Sequence, residues 1–174
     1  MYKKILLATD GSVHSTKGAE KLIEICENKD CDVVVFHSIK HVLDKISLSN
    51  PSPNETYFPV SMYPGIAYFQ HPVFIAKGLS HEKMHHYKEE IENKGWNILN
   101  LKKEMFETAN IPVKIRLIED EDPDEYILRV IKEENFDLVV IGNRGIHSKL
   151  REILIGSVAE NVIIHSSCDV LVIK

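Results

Sequence analysis

The chain has 174 residues, of which 44% are hydrophobic, so it is long enough for one domain with a sizeable core and short for two. Its formal net charge is -5, and it contains no block of basic residues, so we expect no nucleic-acid partner. No stretch approaches the ~20 consecutive apolar residues of a membrane span. Because the first residues also lack the apolar region of a signal peptide, we expect no membrane partner and a cytoplasmic location.

The cysteines argue for the same compartment. Cys26, Cys31 and Cys168 make an odd number and form no C-x-x-C pair, which argues against a disulfide framework and against a cysteine zinc site. Cys26 falls on a helical pattern and Cys168 lies beside a predicted strand. We therefore expect both to be small core residues in a reducing cytosol.

The first 39 residues predict a β-α-β unit. Residues 4–9 form a continuous apolar run, which is typical of a strand buried on both faces, and the run ends at Asp10-Gly11-Ser12. Apolar residues then recur at helical spacing over 14–27, with Ser12 available as the N-cap. Residues 32–39 are β-branched and apolar, which predicts a second buried strand.

The middle of the chain separates into an insert and a long helix. The insert, at about 41–79, holds five of the seven prolines and six aromatic residues, so we expect it to be irregular and to act as an interaction arm. Residues 80–109 are polar with apolar residues at helical spacing, which predicts a helix with Gly95 as a weak point. The residues expected on its buried stripe are Met84, Tyr87, Ile91, Ile98, Leu101 and Met105.

The last 62 residues alternate strands and helices. Residues 113–118 alternate apolar and charged, which predicts an edge strand. Asp122 is placed as an N-cap before Pro123, with Glu125 completing a capping box, so a helix should begin there. Residues 137–142 and 169–173 are the fourth and fifth predicted strands, the fifth at a sheet edge, with a helix over 157–165 between them.

This order of elements predicts an α/β fold, a doubly wound five-stranded parallel sheet with helices on both faces. We expect a single domain over residues 1–174. Such a domain binds ligands at the carboxyl ends of its strands, where the strand order reverses. Asp10 and Gly142 both stand at strand ends of this kind.

A glycine-rich segment follows the fourth strand. Gly142 and Gly145 can adopt tight backbone turns, and Gly156-Ser157 places unpaired amides and a hydroxyl at the start of a helix. Amides at a helix start attract phosphate. Taken alone, the spaced glycines fit equally well a reading in which Gly145 ends a turn and Gly156 relieves helix packing.

Three segments together resemble the nucleotide-binding branch of the universal stress protein family. They are MYKKILLATDGS at the N-terminus, DLVVIG in the fourth strand, and the G-x2-G-x10-G-S pattern from Gly142 to Ser157. The resemblance covers about 1–39 and 111–174. The family pattern has nine residues between its second and third glycines, so the additional residue here implies a bulge between Ile146 and Leu150.

The resemblance implies ATP as the cofactor, with Mg²⁺ or Mn²⁺. Asp10 and the backbone before it would contact adenosine, the Ser38 backbone would contact adenine, and the triphosphate would follow the glycine segment. Arg144 would add a charge-assisted contact, and Ser157 would bind a phosphate oxygen or the metal ion. The implied binding residues are Ala8, Thr9, Asp10, Ser38, Ile141, Gly142, Asn143, Arg144, Gly145, Gly156, Ser157, Val158 and Ala159. The resemblance also implies a homodimer through the C-terminal strand.

Other signals in the chain point to no catalytic residue. His81 to His85 match HExxH, but a zincin needs a third ligand and a substrate cleft, so we interpret the motif as a solvated helix face on which His86 could help to bind adventitious zinc or nickel. His37 and His165 are interpreted as ordinary buried or half-buried histidines. Since no lysine follows Gly156-Ser157, the Walker A pattern is absent, which favours retention of the nucleotide over its rapid turnover.

We therefore expect an ATP-binding universal stress protein that acts as a nucleotide-dependent stress-response regulator, with slow or no hydrolysis. Two alternatives remain open. One is a slow ATPase that uses residues of the insert, such as the histidines of 81–86. The other is a dimeric interaction scaffold that binds no nucleotide.

Overall fold

The sheet and its helices follow the predicted order in the computed structural model, which describes residues 2–47, 81–143 and 155–174. The five parallel strands are β1 (Lys4–Ala8), β2 (Asp32–Ser38), β3 (Val113–Ile118), β4 (Leu138–Gly142) and β5 (Asp169–Ile173), in the sheet order β3-β2-β1-β4-β5. The helices are α1 (Val13–Cys26), α2 (Lys40–Ser47), α3 (His81–Thr108), α4 (Pro123–Glu133) and α5 (Ser157–His165). Both strands predicted at an edge, β3 and β5, lie at the edges.

Alternating side chains of the central strands divide the core into two layers. Ile5 and Leu7 pack with α1 and α3 on one face of the sheet, and Leu6 packs with α4 and α5 on the other. All three side chains are fully buried. A strand that is covered on both faces is apolar throughout, which explains the continuous run in β1 and confirms the doubly wound architecture.

The beginning of the predicted insert is helical, so the prediction of an irregular segment is wrong there. In α2, the Ile39 carbonyl accepts hydrogen bonds from the amides of Val42 and Leu43, both at 3.0 Å. Lys40 and Asp44 are one helical turn apart, and Lys40 Nζ lies 2.8 Å from Asp44 Oδ2. No proline precedes residue 51, so these local bonds can form a short helix. Residues 48–80, with the predicted aromatic arm, lie outside the described residues.

Helix α3 buries only part of the stripe that its apolar spacing predicts. Ile91 is buried as predicted, and Tyr87, Ile98 and Met105 are half-buried. Leu99, Lys102 and Phe106 are buried more deeply, and Leu101 is 62% exposed. The Met84 side chain lies outside the described residues.

Gly95 faces the sheet within the continuous helix, and a Cβ added there would stand 2.6 Å from Leu117 Cδ1. A side chain at this position would therefore require Leu117 to move, so glycine favours the close approach of α3 to the sheet. Although α3 has 28 residues, no helix among the described residues is apolar enough over a sufficient length to cross a membrane.

The cysteine predictions are only partly confirmed. Cys26 and Cys31 are buried, and all three cysteines are free. Cys168 is half-buried because it leads into the edge strand β5, and it packs against the core layer of α4 and α5, so its prediction is confirmed only in part. Burial raises the pKa of the Cys26 thiol to about 12, and its hydrogen bond to Cys31 contributes to the shift.

Two helix starts show how a predicted cap can be present or missing. Ser12 caps α1 as predicted, since its side chain accepts a 3.2 Å hydrogen bond from the Ser15 amide. Asp122 occupies the N-cap position of α4, but its side chain makes no capping bond, so the predicted capping box with Glu125 is wrong. The Asp122 carboxylate lies instead 3.7 Å from Lys40 Nζ.

We predict that Gly95→Leu lowers the free energy of unfolding by about 1–3 kcal/mol, because the added side chain must displace Leu117 and Ile39. Urea titration followed by circular dichroism measures the change. Asn97→Leu is the matched control, since Asn97 is exposed on the same helix. Equal unfolding midpoints for the two variants would contradict the close packing at Gly95.

We predict that Ser12→Ala costs about 1 kcal/mol of stability, the usual effect of removing an N-cap side chain. Asp122→Ala should cost less, because Asp122 caps nothing and its pairing with Lys40 is a surface interaction. Thermal unfolding of both variants beside the wild type tests the difference. A larger loss for Asp122→Ala would show that the capping assignments are reversed.

Candidate functional site

The switch point of the sheet lies between β1 and β4. These two strands are neighbours, with Leu7 opposite Val140, yet β1 leads into α1 on one face and β4 leads towards α5 on the other. The chain therefore diverges beyond the carboxyl ends of the two strands, which is where doubly wound sheets have their ligand-binding crevice. Ala8, Thr9 and Asp10 at one side, and Ile141, Gly142 and Asn143 at the other, are brought to this edge as the sequence predicts.

The turn between β1 and α1, residues 9–12, is held tightly. The Thr9 amide donates to the Phe36 carbonyl at 2.9 Å, and Asp10 Oδ1 accepts a 2.9 Å hydrogen bond from the Ser12 amide. Gly11 has φ +80°, a conformation that favours glycine, and a Cβ added there would lie 3.1 Å from Ile98 Cδ1 on α3. The turn thus presents Asp10 at a fixed place beside the crevice.

His37 supports this turn and is not placed as a base. Its Nδ1 lies 2.7 Å from the Thr9 carbonyl oxygen, which can only accept, so Nδ1 carries the proton. Burial lowers the pKa of His37, against the opposing effects of the Thr9 bond and the Asp10 carboxylate, so the ring is neutral near pH 7. The prediction of a buried or half-buried residue holds for His37 but is wrong for His165, which is exposed.

Ser38 ends β2 on the other side of β1. Its Oγ donates a 3.0 Å hydrogen bond to the Glu121 carbonyl, which ties β2 to the turn before α4. Backbone groups alternate in direction along a strand. Since Phe36, two residues earlier, bonds to Thr9, the Ser38 peptide group also faces the β1 side, beyond the end of that strand.

Asn143 joins the end of β4 to the start of α5. Its amide donates to the Ile173 carbonyl at 2.8 Å, and its own carbonyl accepts a 2.7 Å hydrogen bond from the Gly156 amide. Its side chain is 7% exposed, and Oδ1 is buried without a hydrogen-bond partner in the described ranges. The predicted site residues Arg144 and Gly145 and the predicted bulge over 146–150 lie outside the described residues.

The first turn of α5 is open to an acceptor. Gly156 is the N-cap, and no side chain caps the helix. Within the parts of the chain that the structure describes, the amides of Ser157, Val158 and Ala159 have no hydrogen-bond acceptor. They are therefore free donors at the positive end of the helix dipole.

Two other helices that begin beyond this edge of the sheet, α1 and α4, are less suited to an anion. The start of α1 is satisfied by its own Ser12 side chain. The first turn of α4 carries Asp124 and Glu125, which repel negative charge. The first turn of α5 carries one acidic residue, Glu160, but no side chain caps this helix, so among these three helix starts α5 is the best suited to a phosphate group.

Only part of the HExxH segment can be placed. The His81 side chain lies outside the described residues, and the His85 side chain is 76% exposed, with Nδ1 at 3.5 Å from Glu89 Oε1. No group of three or more potential metal ligands occurs in the described part of the chain. These observations fit the solvated helix face that the sequence analysis prefers.

Some residues that hold the 9–12 turn by hydrogen bonds from α1 and α3 are not predicted from the sequence. Ser15 and Thr16 in α1 bond to the Ser12 carbonyl, and Lys102 in α3 bonds to Thr16. One signal was present for Lys102, because it stands three residues after Leu99 and four before Phe106, inside a buried stripe. A lysine at such a position requires a polar partner in the folded protein.

Comparison with known proteins agrees with this architecture. The family model described as "Universal stress protein family" matches residues 1–56 and 67–174. Universal stress protein MJ0577 of Methanocaldococcus jannaschii is 32% identical over 174 residues, with 100% of this chain and 96% of the relative covered. The solved structure of MJ0577 superposes with a TM-score of 0.73 at 25% identity, over 100% of this chain and 96% of that one.

Two more distant structures share the fold and contain nucleotides. The universal stress protein of Archaeoglobus fulgidus in complex with dAMP has a TM-score of 0.56 at 17% identity, covering 99% of this chain and 98% of its own. A family protein of Arabidopsis thaliana with AMP bound has a TM-score of 0.58 at 15% identity, covering 99% and 91%. Because the family model matches most of this chain, the chain belongs to the universal stress protein family.

Proposed function

We propose that this protein binds ATP in the crevice between β1 and β4 and acts as a nucleotide-dependent regulator in the stress response, with slow or no hydrolysis. The observation that carries the proposal is the open first turn of α5, whose free amides at Ser157, Val158 and Ala159 lie at the end of β4. A hydrogen bond to a charged acceptor contributes about 1.5–3 kcal/mol. Three such donors are enough to hold a phosphate group.

The adenosine part is assigned to the opposite side of the crevice. Asp10 is fixed by its bond to the Ser12 amide and offers a carboxylate to the ribose hydroxyls. The Ser38 peptide, beyond the end of β1, is available to the adenine edge. The family proteins with AMP and dAMP bound support an adenine nucleotide as the ligand class.

A divalent cation completes the proposed ligand. Mg²⁺ takes oxygen ligands and is usually held by one or two protein oxygens together with the substrate phosphates. The Ser157 hydroxyl is exposed at the proposed phosphate position and suits that role. Mn²⁺ accepts the same oxygen donors.

Slow turnover follows from the groups near the crevice. His37 is half-buried, its Nδ1 proton is bonded to the Thr9 carbonyl, and desolvation lowers its pKa, so it is badly placed to activate water. The chain also lacks the P-loop lysine after Gly156-Ser157. We therefore propose that the occupied state itself is the signal.

We place the protein in the cytoplasm and treat it as one nucleotide-binding domain with an insert at about 41–79. The free thiols at Cys26, Cys31 and Cys168 fit a reducing compartment. Residues 57–66, which the family model leaves unmatched, fall inside that insert.

We also propose a homodimer through β5. Asp169 and Ile173 bond to β4, so by alternation the peptide groups of Val170 and Val172 point outwards from the edge. No charged residue interrupts this strand between Asp169 and Lys174. The other edge, β3, carries the exposed Lys114, which protects it against pairing.

We predict that Ser157→Glu weakens ATP binding on the order of 10- to 100-fold, because a carboxylate at the first turn of α5 repels the phosphates and competes for the amides. Adenosine affinity should stay unchanged, and stability should be equal or higher, since a negative charge suits a helix start. Isothermal titration with ATP, AMP and adenosine measures the change. Ser157→Ala removes the hydroxyl proposed to face the cation but adds no charge, so it should lose less ATP affinity than the glutamate variant. Undiminished ATP binding by the glutamate variant would exclude α5 as the phosphate site.

We predict that Val172→Pro converts the dimer into a folded monomer. Proline removes an outward amide and leaves the bonds to β4 in place, and edge strands tolerate it for that reason. Light scattering after gel filtration gives the mass, and circular dichroism verifies folding. Val172→Thr, which keeps both the shape and the amide, is the control and should remain a dimer. A dimeric proline variant would assign the contact to another surface.

A further inference from the structure

Lys102 is a buried charge that the nucleotide site does not obviously require. It lies on α3, is 5% exposed, and its Nζ donates a 2.6 Å hydrogen bond to Thr16 Oγ1 on α1. The charged groups that face it from the packed elements are Asp10, in the turn after β1, and Glu20 on α1. It therefore stands directly behind the 9–12 turn.

A continuous series of hydrogen bonds runs from Lys102 into that turn. Thr16 Oγ1 donates to the Ser12 carbonyl at 3.1 Å, and Ser15 Oγ donates to the same carbonyl at 2.9 Å. Thr9 Oγ1 lies 3.2 Å from Ser15 Oγ and so extends the series to the end of β1. Because a lysine can only donate, Lys102 obliges Thr16 to turn its own proton towards Ser12.

The burial of this ammonium group opposes folding. Burial lowers the pKa of Lys102, against the attraction of Asp10 and Glu20. Apolar side chains of similar volume commonly replace a buried charge without loss of stability, and sometimes with a gain. Packing alone would thus favour methionine or leucine beside Leu99 and Phe106, and the lysine is expected to have another role.

We propose that Lys102 is a positioning residue for the nucleotide: through Thr16 and Ser12 it fixes the 9–12 turn, and it draws the Asp10 carboxylate into the orientation that receives the ribose. The inference rests on the proposed function and adds to it that α3 controls the adenosine end of the site. By linkage, nucleotide binding in turn stabilises the seating of α3, the helix that follows the insert.

The test is Lys102→Met in the full chain. The dissociation constants of ATP and of adenosine should both rise about tenfold, because both ligands contain the adenosine part. A tenfold rise corresponds to the binding free energy of one well-placed polar contact. The unfolding midpoint should stay equal or rise. In the wild type, affinity should fall as the pH rises through the pKa of Lys102, which burial has lowered, and this fall should be missing in the variant. Unchanged affinity and an unchanged pH profile would overturn the proposal.

Three further variants separate positioning from general stability. Lys103→Met is the matched control, because Lys103 is 44% exposed and pairs only with Glu107 among the ion pairs of the described residues, so affinity should not change. Thr16→Val should reproduce the loss, and the double variant with Lys102→Met should lose no more than either alone, as expected for one network. Leu99→Ala should lower stability and leave the affinity of the folded protein intact. Additive losses in the double variant, or a loss in Leu99→Ala equal to that in Lys102→Met, would contradict a specific role.

Amide hydrogen exchange of residues 10–16, measured on the protein without ligand, tests the role of Lys102 separately from the proposed binding of ATP. If Lys102 orders the turn, exchange there is faster in Lys102→Met than in Lys103→Met. A wild type that binds no adenine nucleotide would overturn the proposed function and the ribose part of the inference, while faster exchange would still establish that Lys102 orders the turn. Equal exchange in the two variants would overturn that part as well.

Discussion

The hydrogen bond from the Gly156 amide to the Asn143 carbonyl, at 2.7 Å, holds the start of α5 against the end of β4. The residues between these two points lie in the glycine-rich segment, and the bond fixes both ends of it. Asn143 is itself tied to Ile173 in β5, so the sheet determines where α5 begins. The proposed phosphate site thus depends on backbone groups of the rigid part of the fold, and its donors need no side chain to place them.

Three of the helix starts at this edge, those of α1, α4 and α5, illustrate a division between stability and binding. Ser12 caps α1, and two acidic side chains stand in the first turn of α4. Helix α5 has one acidic residue in its first turn, Glu160, and its N-cap, Gly156, provides no side chain to bind the amides. Capping α5 in the usual way would add about 1 kcal/mol of stability. Of the two helices that start where the strand order reverses, α1 has this stabilisation and α5 lacks it, and at α5 a ligand can supply the acceptor instead.

The fold could be predicted from the sequence because its strands are buried on both faces. A strand such as β1 is apolar throughout, and the alternation in β3 correctly marked an edge. The switch point followed from the order of elements, so the positions of Asp10 and Gly142 were predicted as well. Short-range bonds were harder to foresee: α2 forms through local contacts in a segment that was expected to be irregular, and Asp122 turns to Lys40 and does not cap α4.

Contacts between distant segments account for what the sequence did not reveal about the site. Nothing in the local pattern shows that Lys102 meets Thr16, 86 positions away, or that Gly95 lies against Leu117. Both residues were hidden because the stripe on α3 was assigned by apolar spacing, which favoured the exposed Leu101. A helix with a glycine and a lysine on its buried face departs from the usual apolar pattern. Such departures are most frequent near functional sites.

A crystal structure of the protein with bound ATP tests the central claim most directly. The account predicts phosphate oxygens within hydrogen-bond distance of the backbone amides of Ser157, Val158 and Ala159, with the ribose beside Asp10. An empty crevice in crystals grown with saturating nucleotide, or a nucleotide whose phosphates lie away from the start of α5, would contradict it.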